Sequence, residues 1–140
     1  MPTSSNHPLT VFIVEDNLIV RLALKMRLEK VPGIRLVGEA EDGQEAVDKV
    51  LKIKPQIVLM DVGLPSMNGI EACRQIKKSL PDTIVIMTTL HKEQETVDAA
   101  TAAGADEYVH KESDDSKLIE AIQKTTAKKM FTKYSAADQL

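Results

Sequence analysis

The sequence predicts a single α/β domain built around a parallel β-sheet. Short apolar runs recur along its 140 residues at broadly even intervals, and longer segments with helical spacing separate them. Several runs consist almost entirely of Val, Ile, Leu, Phe and Met, which is typical of parallel strands buried on both faces. Strand and helix therefore alternate five times, the pattern of an α/β fold with right-handed crossovers. The predicted strands are residues 9–14, 34–37, 57–60, 83–87 and 108–109.

The segment after each strand has apolar residues at helical spacing and helix-terminating residues near its ends. The first helix follows Asp16 and Asn17 and stops at Pro32 and Gly33. Its apolar residues form two stripes, which are Ile19, Leu22, Ala23 and Met26, and Val20, Leu24, Leu28 and Val31. The other helices are predicted at 44–54, from Gly69 to Pro81, at 92–103 before Gly104, and from the capping cluster at 113–116.

The most common arrangement of five alternating strands and helices is a doubly wound, flavodoxin-like (βα)5 fold. Its five-stranded parallel sheet has the order 2-1-3-4-5, with helices on both faces. The chain is long enough for one such domain and too short for two ordinary ones. We expect residues 1–8 to be a flexible lead, 9–128 the domain, and 129–140 a tail or an extension of the last helix, with Phe131 and Tyr134 at helical spacing.

Composition argues against several classes of function. The net charge is −3, so the chain lacks the basic character of nucleic-acid-binding proteins, and its 3% of aromatic residues offer few stacking platforms for bases. No apolar stretch approaches the roughly 20 residues that cross a bilayer, and the N-terminus does not resemble a signal peptide. Cys73 has no second cysteine to pair with. We therefore expect a cytoplasmic protein without direct nucleic-acid or membrane contacts.

Polar side chains that could bind a ligand or take part in a reaction follow four of the five predicted strands. In a doubly wound sheet, ligands bind beyond the carboxyl ends of the strands, so these side chains are expected to meet at one rim. They comprise three carboxylates, two hydroxyls, an imidazole and an amine. They are Glu15 and Asp16 after the first strand, Asp61 after the third, Thr88 and Thr89 after the fourth, and His110 and Lys111 after the fifth.

This rim has the groups that phosphoryl transfer requires. Mg²⁺ prefers oxygen ligands, which Glu15, Asp16, Asp61 and the backbone carbonyl of Gly63 could supply. A carboxylate can also act as a nucleophile and form an aspartyl phosphate, while the Lys111 ammonium can neutralise charge on the transferring oxygens. Taken singly, each residue has an ordinary explanation, because an acid after a strand often caps a helix and a lysine is usually solvated. Their convergence on one rim favours the chemical interpretation.

Four motifs resemble those of one known family. They are VFIVEDN, which holds the acidic pair, IVLMDVGLPSMNGI, which holds Asp61, Pro65 and Gly69, IVIMTTL, which holds Thr89, and AGADEYVHK, which ends at Lys111. In this order and at these spacings, the sequence resembles the receiver domain of bacterial two-component response regulators over residues 9–128. The HKES ending is similar to that of NarL/FixJ-type receivers.

The resemblance implies a phosphoacceptor site. Asp61 would take a phosphoryl group from the phosphohistidine of a sensor histidine kinase. Glu15, Asp16, Asp61 and the carbonyl of Gly63 would bind Mg²⁺ or Mn²⁺, and Lys111 would contact the phosphoryl group. The chain would catalyse only its own phosphorylation and dephosphorylation, so it would be a signalling domain and not an enzyme in the ordinary sense.

The resemblance also implies a conformational switch. Thr89 would be the switch hydroxyl and Tyr108 the aromatic switch residue. Phosphorylation would change the face formed by the fourth helix, the fifth strand and the fifth helix. That change would control a downstream protein partner or an output domain.

Two positions depart from the common family pattern. Glu112 follows Lys111 where many receivers have proline, and Leu90 follows Thr89 where a small residue is common. These departures leave open a phosphorylation-independent receiver that acts as a protein-binding module. The receiver part of a DNA-binding transcriptional regulator is a further alternative. A phosphatase of the haloacid dehalogenase type is disfavoured because Gly63 occupies the place of its second aspartate, and no nucleotide-binding glycine motif occurs.

The two apolar stripes of the first helix have two interpretations. Burial of both stripes is the simpler one. The alternative is that Ile19, Leu22 and Met26 form a contact surface for the kinase or for a second copy in a homodimer. No sequence motif decides between them.

Overall fold

The protein is an alternating α/β domain, described by a computed structural model for residues 7–90, 93–111 and 115–138, with side chains only as far as Met130 in the last segment. Glu112 lies outside these residues. The strands are β1 (Leu9–Val14), β2 (Ile34–Ala40), β3 (Ile57–Asp61), β4 (Ile84–Thr89) and β5 (Glu107–His110). The helices are α1 (Leu18–Glu29), α2 (Gly43–Ile53), α3 (Gly69–Ser79), α4 (Gln94–Ala102) and α5 (Asp115–Asp138).

The five strands form one parallel sheet in the order β2-β1-β3-β4-β5. This order confirms the predicted topology. It places β3 at the centre, where Val58 pairs with Phe12 on one side and with Val85 on the other. The carboxyl ends of β1, β3, β4 and β5 consequently lie next to one another along one edge of the sheet.

Every strand except β1 is longer than the sequence pattern predicts, and β2 and β4 extend furthest beyond their predicted ends. β2 continues through Gly38 and Glu39 to Ala40, and β4 continues to Thr89. Glycine and a charged residue normally weaken a strand. Here β1 imposes the extension, because its pairing with β2 shifts register between Val11 and Phe12 and then continues as far as Ala40.

Helix starts are fixed by short polar side chains, as the sequence suggests. Asn17 Oδ1 accepts a hydrogen bond from the Val20 amide at 3.0 Å and caps α1. Asn68 Oδ1 likewise accepts from the Glu71 amide at 2.9 Å and caps α3. These caps satisfy amides that the first helical turn leaves without a partner. Asn17, and not Asp16, is therefore the cap of α1, which leaves the Asp16 carboxylate available for the rim.

Apolar side chains fill both faces of the sheet. One face packs against α2, α3 and α4, through residues such as Val50, Ile76 and Ala100. The other packs against α1 and α5, through Leu28 and Ile122. Alternate residues of the central strands point to opposite faces, so β3 is buried along its whole length. This rigid sheet holds the residues at its carboxyl edge.

Helix α1 departs from the expectation that both of its apolar stripes are buried. Leu28 of the second stripe is 1% exposed. On the first stripe, Ile19 is 72% exposed, Met26 61% and Leu22 43%. That expectation was wrong because periodicity identifies two apolar stripes without telling which one meets the sheet. Only one stripe of a straight helix can do so, and the other is left as an apolar surface.

Helix α5 continues to Asp138, as far as the described residues extend. The side chains of Phe131 and Tyr134 lie outside the description, and the proposed domain boundaries stay a prediction. Among the described residues, no helix combines the length and the apolar character that crossing a bilayer would demand. Cys73 is buried and unpaired in the core, and burial raises the pKa of its thiol to about 11.

Candidate functional site

Three carboxylates meet at the carboxyl edge of the sheet. Glu15 and Asp16 follow β1, and Asp61 ends β3 beside it. One oxygen from each of the three residues lies within 4.8 Å of the others. Glu15 and Asp61 are buried, whereas Asp16 is exposed. The convergence predicted from the strand ends is therefore present for all three acids.

Lys111 joins this cluster from the end of β5. Its Nζ donates to Glu15 Oε1 at 2.6 Å and lies 3.1 Å from Asp61 Oδ2. The Lys111 amide also donates to the Thr89 carbonyl at 2.7 Å, which fixes the residue to the end of β4. A single ammonium thus holds two of the three carboxylates together and offsets part of their mutual repulsion.

Burial and charge act in opposite directions on these groups. Burial raises the pKa of Glu15 above its ordinary value, and the opposing hydrogen bond from Lys111 only partly offsets this effect. Burial by itself lowers the pKa of Lys111, but the hydrogen bond to Glu15 and the charge of Asp61 outweigh it, so that this pKa is raised. Lys111 therefore stays an ammonium at neutral pH. A bound cation would further favour ionised carboxylates.

The loop after β3 fixes the orientation of Asp61. The Gly63 amide donates to Asp61 Oδ1 at 3.1 Å, while Asp61 Oδ2 faces Lys111. Val62 receives a hydrogen bond on its carbonyl from the Gly69 amide at 2.8 Å, which closes the loop onto the start of α3. Gly69 is needed there, since a Cβ at this position would lie 2.1 Å from the Asp61 carbonyl oxygen. The Asp61 carboxylate is consequently held from both sides.

The predicted switch residues lie on β4 and β5, and Thr89 lies beside the carboxylates. Thr89 ends β4 and is 1% exposed. Tyr108 is half-buried and packs against the core on the side of α2 to α4. His110 Nε2 lies 2.9 Å from the Leu90 carbonyl. Because a carbonyl only accepts, this ring nitrogen donates its proton, which ties the loop after β4 to the end of β5.

A cavity of about 600 Å³ opens over the carboxylates. Its lining includes six of the predicted site residues, which are Glu15, Asp16, Asp61, Gly63, Thr89 and Lys111. Ile19, Val20 and Ala23 of α1 form an apolar wall, and Leu90 also borders the cavity with 63% of its surface exposed. Leu90 therefore stands at the mouth of the site.

The donor set suits a hard divalent cation. Mg²⁺ favours oxygen ligands, usually one to three from protein with water and phosphate completing its shell. The three clustered carboxylates supply such oxygens, and among the residues that the structure describes no nitrogen or sulfur donor joins the cluster. These residues therefore fit magnesium or manganese and do not fit a structural zinc site.

Sequence reasoning missed one residue beside the site. Arg21 lies on α1 among apolar residues and is 5% exposed, so it is a buried charge. The single basic residue inside the apolar stretch LIVRLAL was the available signal. Helical periodicity alone treats such a residue as solvated, and only the fold reveals what it contacts.

Comparisons with known proteins agree with this geometry. The family profile described as "Response regulator receiver domain" matches residues 11–123. The response regulator protein VraR of Staphylococcus saprophyticus is 37% identical over 118 residues, covering 84% of this chain and 56% of the relative. The transcriptional regulatory protein DegU of Brevibacillus brevis is 33% identical over 119 residues, covering 85% of this chain and 50% of the relative. The chain thus spans about half the length of the curated relatives it matches.

Solved structures have the same fold. A LuxR-family two-component response regulator from Aurantimonas sp. superposes with a TM-score of 0.82 at 35% identity, with 86% of each chain covered. A complex of CheX, CheY, beryllofluoride and magnesium from Borrelia burgdorferi gives a TM-score of 0.82 at 25% identity, with 89% of this chain and 93% of that chain covered. Fold, acidic rim and family match coincide, and the chain belongs to the response regulator receiver family, which acts in phosphorylation-based two-component signalling.

Proposed function

We propose that Asp61 accepts a phosphoryl group from the phosphohistidine of a sensor histidine kinase, in a reaction that depends on Mg²⁺. The observation that supports this most is the contact of Lys111 with both Asp61 and Glu15 in a rim of three carboxylates. On this proposal the chain is a signalling domain that catalyses only its own phosphorylation and dephosphorylation. It does not act on a separate substrate.

Asp61 is the best placed of the three acids to be the nucleophile. It ends the central strand, with Glu15 on one side and the end of β4 on the other. Glu15 already accepts from Lys111 through Oε1 and from the Asn17 amide through Oε2. In the transfer, an Asp61 oxygen forms a bond to phosphorus, the phosphorus–nitrogen bond of phosphohistidine breaks, and its electron pair returns to the imidazole nitrogen.

The residues around Asp61 supply the electrostatics of that step. Glu15, Asp16, Asp61 and the Gly63 carbonyl would hold the cation, which when bound neutralises negative charge on the phosphoryl oxygens. Lys111 would contact one of those oxygens as an ammonium, a role that its raised pKa supports. The Borrelia relative of similar fold is described as a complex with beryllofluoride and magnesium, which favours the same chemistry here.

Acetyl phosphate tests the proposal without a kinase. The wild-type chain is incubated with this donor and Mg²⁺, and its intact mass is measured. We expect one phosphoryl group per chain, and no addition when EDTA replaces Mg²⁺. The chain is then incubated with Mg²⁺ and a phosphorylated histidine-containing domain as donor. If no phosphoryl group is added under these conditions either, the result would favour the phosphorylation-independent receiver instead.

We further propose that Thr89 and Tyr108 transmit the event to the face formed by α4, β5 and α5. The Thr89 hydroxyl would move to a phosphoryl oxygen, and Tyr108 would occupy the space left behind it. Two packings of one element, biased by a local charge, constitute a switch. The burial of Thr89 and the half-burial of Tyr108 on neighbouring strands support this path.

Thr89→Ala separates the chemistry from the switch. We expect this variant to take up one phosphoryl group, because Thr89 supplies neither the nucleophile nor a metal ligand. The amide resonances of Tyr108 and Val109 should then stay where they are in the unphosphorylated protein, whereas they move in the wild type. Thr88→Ala, one residue earlier on β4, is the control and should respond like the wild type. A normal response in Thr89→Ala would contradict the switch.

We propose that the first stripe of α1, which is exposed, is the docking surface for the kinase. It borders the cavity through Ile19 and continues to Leu22 and Met26, all exposed. An amphipathic helix of the partner can pack on such a stripe. It would bring the phosphohistidine to the mouth of the site.

Met26→Lys tests this surface away from the chemistry. Met26 is 61% exposed, so we expect the fold and the uptake from acetyl phosphate to stay unchanged. Transfer from a phosphorylated histidine-containing kinase domain should slow by about tenfold, since one contact of this kind contributes about 1–2 kcal/mol. An unchanged transfer rate would contradict kinase docking. A lower mass of the variant in light scattering would instead assign the stripe to a homodimer.

The output of the whole protein is also a proposal. Its curated relatives include the response regulator protein VraR and the transcriptional regulatory protein DegU, which are about twice as long as the matched segment, and its structural neighbours include a LuxR-family response regulator. We infer that the switched face acts on an output domain or on a separate protein partner, with no nucleic-acid contact by the described domain itself. The buried, unpaired Cys73 supports a reducing, cytoplasmic setting.

A further inference from the structure

We propose that Arg21 is a positioning residue that holds the loop of Glu15 and Asp16 in its metal-binding arrangement. The inference deepens the proposed function and rests on it. Arg21 is 5% exposed, and each of its three guanidinium nitrogens donates to a different residue. One of those bonds goes directly to the backbone of Glu15.

The guanidinium joins the ends of two strands. Arg21 Nη1 donates to the Glu15 carbonyl at 2.7 Å, at the point where β1 ends. Nε donates to Glu39 Oε1 at 3.1 Å, and Nη2 donates to Glu41 Oε1 at 3.3 Å, at the end of β2. A planar fork with fixed, diverging donors on three nitrogens suits such a three-way connection better than a lysine, whose three donors share one nitrogen.

Glu15 is consequently held at all four of its polar atoms. Its amide donates to the Ala40 carbonyl at 3.1 Å, and its carbonyl accepts from Arg21. Its carboxylate accepts from Lys111 through Oε1 and from the Asn17 amide through Oε2. Lys111 and Asn17 would be displaced or rearranged as a cation enters, because both contact the same carboxylate oxygens that would bind it. The two backbone contacts would remain to position the residue.

Loss of Arg21 would therefore weaken metal binding more than it would displace the nucleophile, Asp61. Glu15 and Asp16 belong to the loop that Arg21 fixes, whereas Asp61 is held separately by Gly63 and Lys111. Residues that orient metal ligands typically change metal affinity by about 10–100-fold when they are replaced. A purely structural buried arginine would lower the stability of the fold and leave the affinity of the folded protein for Mg²⁺ unchanged.

Arg21→Gln, Arg21→Lys and Lys25→Gln form the test set. Lys25 lies one turn further along α1 and pairs with the same Glu39 at 2.7 Å, so Lys25→Gln removes a charge from the same network. Each protein is titrated with Mg²⁺ and followed by the amide resonances of Asn17 and Gly63. Urea unfolding in EDTA gives its stability. We expect the Mg²⁺ dissociation constant to rise about tenfold or more in Arg21→Gln, less in Arg21→Lys, and less than about twofold in Lys25→Gln.

The outcomes separate the possibilities. A dissociation constant in Arg21→Gln within about twofold of the wild type, together with lower stability, would overturn the proposal and leave Arg21 a structural residue. If Arg21→Gln does not fold, Arg21→Lys decides in the same way. A wild type that binds no Mg²⁺ would refute the proposed function. It would refute the metal-positioning role of Arg21 as well, whereas a wild type and an Arg21→Gln variant that bind Mg²⁺ equally would refute that role alone.

Discussion

Asp61→Asn is expected to take up no phosphoryl group from acetyl phosphate and Mg²⁺, where the wild type takes up one. An amide is a far weaker nucleophile than a carboxylate, and the substitution also removes one of three acidic metal ligands. Replacement of the nucleophile in a concerted site usually lowers the rate by at least roughly a thousandfold. Incorporation should fall below detection by intact mass over the time in which the wild type is fully modified.

Asp61→Asn removes the charge of this side chain and changes its shape very little. Asparagine has the same shape, and its side-chain oxygen can still accept from the Gly63 amide. Removing one of three carboxylates that lie within 4.8 Å of one another also relieves repulsion, which offsets the loss of the Lys111–Asp61 ion pair, so the stability of the metal-free fold should change little. Asp48→Asn, an exposed aspartate on α2, is the matched control and should be modified like the wild type. Equal uptake by Asp61→Asn would identify another acceptor and contradict the proposed function.

The rim could be predicted because parallel strands bring their carboxyl ends to one edge. Glu15, Asp16 and Asp61 follow strands whose apolar runs were clear, Lys111 follows the short run at 108–109, and the structure places all four together. The order of these strands in the sheet is the one most common for a doubly wound fold of five strands. The sequence cannot give the contacts themselves, since the 2.6 Å approach of Lys111 to Glu15 joins residues 96 positions apart.

The parts that escaped prediction depend on tertiary contacts. Which stripe of α1 faces the sheet depends on the rotation of the helix, so Met26 and Leu28 look equivalent in the sequence and differ in the fold. Arg21 is buried because Glu15, Glu39 and Glu41 surround its guanidinium, and two of these lie on and after a different strand. Local periodicity contains no information about such partners.

Gly69→Ala is the second change with a large expected effect, on both stability and chemistry. The helix propensity of alanine is higher than that of glycine by about 1 kcal/mol, so propensity alone would make the start of α3 more stable in the variant. Its Cβ, however, would lie 2.1 Å from the Asp61 carbonyl oxygen and 3.0 Å from the Val62 Cα. Both are backbone atoms of the strand end and loop, which cannot rotate away as a flexible side chain would. Overpacking of this kind typically costs about 1–3 kcal/mol, so the variant should be destabilised overall.

The displacement should also reach the phosphoacceptor. Relief of the clash requires α3 and the end of β3 to separate, and Asp61 moves with the strand end; a misplacement of about 1 Å can slow a reaction by about a hundredfold. Urea unfolding and the rate of uptake from acetyl phosphate measure the two effects. Gly63→Ala is the matched control for stability, because nothing lies within 4 Å of its added Cβ and its φ is not positive. Equal unfolding free energies for the two variants would mean that the chain accommodates the Gly69 side chain, and that close packing of α3 does not position Asp61.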